Sequence, residues 1–112
     1  MIQFAICDDS AVFVETLKNG LNNILLSISD GVDYELHTFT SSNDLLEYSA
    51  HTPINILFLD IDMPKLDGFG IAASLQKSSP DTMIIFVSAY DSFVFDSFQF
   101  SPLGFIIIQI II

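Results

Sequence analysis

Residues 54–60 read Ile54-Asn55-Ile56-Leu57-Phe58-Leu59-Asp60, INILFLD, and this stretch decides the fold. A short, almost continuous apolar run predicts a strand covered on both faces, as in the middle of a parallel sheet. The run stops abruptly on a carboxylate, Asp60.

The pattern repeats on either side. Upstream, Ile2 to Cys7 (IQFAIC) reads as a buried strand ending on Asp8-Asp9. Ser10 is placed to cap a helix whose apolar positions Phe13, Leu17, Leu21, Ile24, Leu25 and Ile28 recur at three- and four-residue spacing. Asp33 to Phe39 (DYELHTF) alternates in part and predicts a second strand. Ser41 with Asp44 resembles a capping box ahead of a short helix carrying Leu45, Leu46 and Tyr48. His51-Thr52-Pro53 breaks that helix.

Downstream, Met63 to Gly68 is rich in turn residues, and Ile71, Ala72 and Leu75 form a third helical stripe. Met83 to Val87 (MIIFV) is a fourth strand ending at Ser88. Val94, Phe95 and Phe98 predict a fourth helix, which Pro102 ends, and Leu103 to Ile108 is a fifth strand. Strands alternating with helices predict an α/β doubly wound, parallel five-stranded sheet with right-handed crossovers, in one domain of 112 residues.

Composition narrows the function. Fourteen acids against three basic residues give a net charge of -11, which disfavours direct nucleic-acid binding by this chain. Cys7 is the single cysteine, so it forms no internal disulfide and reads as a small core residue. There is no signal-peptide pattern, and the longest apolar run, Leu103 to Ile112, is too short to span a bilayer. The expectation is a cytoplasmic protein with no membrane partner.

In open α/β sheets, ligands bind beyond the carboxyl ends of the strands. There the sequence puts Asp8, Asp9, Asp60, Asp62 and Ser88. If the first, third and fourth strands are neighbours, several carboxylates share one rim. Their repulsion calls for a cation or for protonation, and an all-oxygen set suits Mg2+. A carboxylate beside Mg2+ is also a plausible phosphoryl nucleophile. Each residue has a plainer reading: Asp8 and Asp9 as loop acids, Asp67-Gly68 as turn chemistry, Ser88 as a loop serine. His37 and His51, with no cysteine or third histidine near, are not read as metal ligands. The phenylalanines at 93, 95, 98 and 100 read as core and partner surface.

Three segments, ICDD at Ile6 to Asp9, FLDIDMPKLDG at Phe58 to Gly68 and FVSAYD at Phe86 to Asp91, together resemble the receiver domain of two-component response regulators, most closely the LytR/AlgR type. The resemblance runs from Ile2 to about Phe105. It implies a flavodoxin-like receiver fold and a phosphoacceptor at Asp60, charged by a sensor histidine kinase. It implies Mg2+ on Asp8, Asp9 and Asp60, with the backbone carbonyl of Asp62. It implies a switch hydroxyl at Ser88 and an aromatic switch at Phe105. It further implies a homodimer through the face of the fourth helix and fifth strand, which would pair DNA-binding output domains and so control transcription. The chain itself is a signalling domain rather than an enzyme, with at most self-catalysed phosphotransfer and dephosphorylation.

Two departures stand out. Aligned on Gly104-Phe105, the lysine of receivers falls on Ile108, which neither neutralises charge nor donates a hydrogen bond. The sequence ends at Ile112, so the expectation is a receiver cut short before the fifth helix, with no output domain. The tail IIIQIII has an aggregation-prone pattern if exposed. Ile108 favours an alternative: a phosphorylation-independent interaction module. A remote alternative is a haloacid-dehalogenase-like phosphatase, whose Asp-x-Asp motif Asp60-Ile61-Asp62 resembles, after a buried strand and with a later strand ending in Ser88.

Overall fold

The computed structural model describes residues 1–28, 33–61, 63, 67–88 and 104–107, with Ser88 and residues 104–107 described by backbone only. The elements are β1 (Ile2–Cys7), α1 (Ala11–Ile28), β2 (Tyr34–Phe39), α2 (Ser42–His51), β3 (Ile56–Asp60), α3 (Gly68–Ser78), β4 (Met83–Ser88) and β5 (Gly104–Ile107). All strand pairs are parallel, in the order β2-β1-β3-β4-β5. The expected fourth helix and everything after residue 107 lie outside the described residues.

The alternation of side chains along the strands divides the core in two. Phe4 and Ile6 of β1, Phe58 of β3 and Val87 of β4 pack with Val14 of α1 on one face. Ala5 and Cys7, Leu57 and Leu59, and Ile84 and Phe86 point the other way, onto Leu45 of α2 and Ile71, Ala72 and Leu75 of α3. Helices therefore cover both faces, which is the doubly wound arrangement. Leu57, Leu59 and Phe86 are fully buried, and each such side chain contributes about 1.5–3 kcal/mol of transfer free energy. Phe86 also meets Phe69 edge to face, with ring centroids 5.4 Å apart.

β3 begins two residues later than the apolar run suggests. Asn55 instead ties three strands together at their amino ends. Its amide donates to the Gln3 carbonyl, its carbonyl accepts from Met83 N–H, and its side-chain oxygen accepts from Gln3 N–H at 2.7 Å.

Two local expectations need correction. Ile24 and Ile28 of α1 do not face the core; they are 55% and 71% exposed. The inward stripe is Phe13, Val14, Leu17, Leu21 and Leu25. At about 100° per residue Ile24 and Ile28 fall within the same arc, so their exposure follows from how the carboxyl-terminal turns of α1 lie on the sheet and not from the spacing. Ser41 does stand at the N-cap of α2, but its side chain makes no capping bond, so the Ser41–Asp44 capping box is not formed. Ser10, by contrast, caps α1: its hydroxyl accepts from Phe13 N–H at 3.2 Å.

Candidate functional site

The strand order makes β1 and β3 neighbours, with Cys7 opposite Leu59. The residues that follow them therefore emerge side by side. Asp8, Asp9 and Asp60 come together so that one carboxylate oxygen from each lies within 4.8 Å of the others. Asp8 is buried, Asp60 half-buried and Asp9 exposed. The Asp8 amide is fixed by the Phe39 carbonyl, and its carboxylate accepts from Ser10 N–H at 2.9 Å. That bond orients Asp8 as the chain turns into α1.

Burial disfavours the ionised form of Asp8 and raises its pKa above the usual carboxylate range. The Ser10 amide pulls it back, and the charge and side-chain hydrogen bond of Asp9 push it up again. The same cluster acts on Cys7 just beneath it. Burial, then the charges of Asp8, Asp60, Asp9 and Asp44, push the thiol up to about 12. Cys7 is thus a protonated core residue, with Met63 Sδ 3.9 Å from its sulfur.

Three converging carboxylates, one of them buried and hard to ionise, are a donor set that fits a hard divalent cation. The structure brings Asp8, Asp9 and Asp60 together at the carboxyl ends of β1 and β3. β4 runs beside β3 with Val87 opposite Asp60, so Ser88 is one residue further along the same rim. On β5, Phe105 lies opposite Phe86 and Ile107 opposite Ser88. The side chains of Ser88 and Phe105, all of Asp62, and Ile108 lie outside the described residues.

Asp67-Gly68, which the sequence alone marks only as a turn, also bears on the site. Asp67 caps α3, its carboxylate accepting from Gly70 N–H at 2.9 Å, and Gly68 follows it directly against the backbone of Asp60. The Gly68 amide donates to the Ile61 carbonyl at 2.9 Å. This contact holds the segment after β3 against the start of α3.

The profile of the response regulator receiver domain matches residues 4–106. The chain belongs to the response regulator receiver family. An uncharacterized response regulatory protein of Vibrio cholerae is 25% identical over 91 residues, which is 81% of this chain and 34% of that protein. The positive alginate biosynthesis regulatory protein of Pseudomonas aeruginosa is 40% identical over 53 residues, 47% of this chain and 21% of that protein. The crystal structure of the response regulator protein TrrA of Thermotoga maritima in complex with Mg2+-BeF superposes with a TM-score of 0.81 at 23% identity, covering 97% of this chain and 88% of that one. The fold is therefore the flavodoxin-like receiver fold. The chain spans about a third or less of the curated relatives named here. Receiver membership accounts for Asp60-Ile61-Asp62 without the phosphatase reading. No described helix is long and apolar enough to cross a membrane.

Proposed function

We propose that Asp60 is the phosphoacceptor of this receiver, charged by the phosphohistidine of a sensor kinase. The observation that carries the reading is the convergence of Asp8 and Asp9 on Asp60 at the carboxyl end of β3. A carboxylate oxygen of Asp60 attacks phosphorus, the phosphorus–nitrogen bond to the donor imidazole breaks, and its electron pair stays on that nitrogen. The product is an aspartyl phosphate. Asp8, Asp9 and Asp60, with the Asp62 carbonyl, would hold Mg2+, which when bound offsets charge on the phosphoryl oxygens. Asp8 is held in place by Ser10 N–H. The Ser88 hydroxyl donates to the phosphoryl group, and Phe105 on β5 follows that movement.

The regulators named as relatives support a transcriptional output in a longer protein, with LytR/AlgR-type character suggested by the alginate regulator. Dimerisation through the fourth-helix and β5 face would couple the receiver to it. The receiver signals and does not turn over a substrate; it is expected to act in the cytoplasm, without direct contact to nucleic acid or membrane.

The test is incubation with Mg2+ and a small acyl phosphate, read by intact mass. Wild type should gain one phosphoryl group that Asp60→Asn does not. Ile108 at the lysine position favours a second reading, a receiver that works by binding alone. Under it, neither protein gains mass, and tyrosine fluorescence shows no saturable response to millimolar Mg2+.

A further inference from the structure

A groove of about 330 Å³, whose described lining does not include Asp8, Asp9 or Asp60, lies between the end of edge strand β2 and α2. Its size is at the low end of the roughly 300–1,000 Å³ usual for ligand pockets. It is lined by Phe39, Asp44, Glu47, Tyr48, His51 and Thr52. The α2 positions are spaced three and four apart, so they form one stripe along the helix. The Tyr48 ring packs against two others, with centroids 5.1 Å from His37 and 5.2 Å from Phe39. The floor is therefore aromatic, and the exposed carboxylates of Asp44 and Glu47 stand beside it. His51 and Thr52 mark the carboxyl end of α2, the negative end of the helix dipole.

Three features of this groove favour the same occupant. Aromatic faces attract a cation through their quadrupole. Two carboxylates one helical turn apart offer a guanidinium fork more than one acceptor. The helix end adds negative potential. An exposed acid patch alone would take any cation. The apolar floor selects one carried on a hydrocarbon stem, and a planar guanidinium can both stack on Tyr48 and bond to the carboxylates. The chain's own charge of -11 steers basic partners toward it.

We infer that the groove between β2 and α2 docks an arginine-bearing segment of a partner protein, independently of phosphorylation at Asp60. A second copy of this chain does not match that chemistry, because its sequence has no arginine.

The experiment is an amide-resolved NMR titration of the 15N-labelled chain with a capped tetrapeptide, acetyl-Gly-Leu-Arg-Gly-amide, in saturating Mg2+. The expected result is saturable shifts centred on Phe39, Asp44, Glu47, Tyr48, His51 and Thr52. The double variant Asp44→Asn with Glu47→Gln should weaken binding about tenfold or more, as expected for loss of the charged acceptors. Tyr48→Leu keeps apolar bulk and should weaken it less. The same peptide with glutamine in place of arginine should not bind. Spectra of each variant report whether the fold is kept, and unchanged Mg2+ shifts at Asp8, Asp9 and Asp60 report the separate crevice. Shifts spread over all acidic residues, saturation at the crevice alone, or wild-type affinity in the double variant would overturn the inference.

Discussion

Gly68 packs directly on the backbone of Asp60. A Cβ at Gly68 would run into the Asp60 carbonyl oxygen and stand 2.7 Å from Ile61 Cα. Real side chains do not approach so closely, so any other residue must push the segment after β3 away from α3. Gly68→Ala is expected to cost about 1–3 kcal/mol, the scale of overpacking in a tight site. It should also slow phosphorylation, since the displaced carbonyl belongs to Asp60 itself. Denaturant unfolding and the rate of mass gain with an acyl phosphate check the two effects.

Asp8 gives a pH dependence with a definite sign. Its folded pKa is raised, chiefly by burial. The folded state therefore holds the Asp8 proton more tightly than the unfolded chain does. The resulting stabilisation is complete below the unfolded pKa and is lost as pH rises through the folded one. Without metal, Asp8→Asn should melt above wild type at neutral pH, and the gap should close on acidification through the carboxylate range. Mg2+ should raise the melting temperature of wild type at neutral pH and do little for the variant.

Cys7 supplies a control on the core. Its thiol is fully buried and its pKa is pushed up to about 12, so little thiolate exists at neutral pH. Labelling by a thiol reagent should require unfolding and run at least about a thousandfold slower than in denaturant, in line with the small unfolded fraction of a stable domain. Rapid labelling of the native chain would contradict this packing.

The sequence was most readable where both faces of an element are buried. β1 runs from Ile2 to Cys7 as the apolar run implied, because every residue from Phe4 to Cys7 meets a neighbour. It was less readable on α1. Ile24 and Ile28 look inward by spacing, yet which apolar residues a helix buries depends on how it lies on the sheet, and Val14 holds the central contact. The acids of the crevice could be listed from strand ends, since a parallel sheet brings those ends together. Gly68 could not be weighed in the same way. Its importance is a distance to a backbone eight residues earlier, and Asp67-Gly68 alone signals only a turn. The aromatic floor beneath Asp44 and Glu47 likewise depends on α2 meeting the edge strand, which no local pattern reports.

The most direct test locates the phosphoryl group. Wild type is treated with Mg2+ and an acyl phosphate, reduced with borohydride, digested and sequenced by mass spectrometry. Reduction converts an aspartyl phosphate to homoserine. The prediction is homoserine at position 60 and not at 8, 9 or 62, with none in Asp60→Asn. Homoserine at another acid, or none in a wild type whose Mg2+ response is intact, would contradict the assignment of Asp60 as phosphoacceptor.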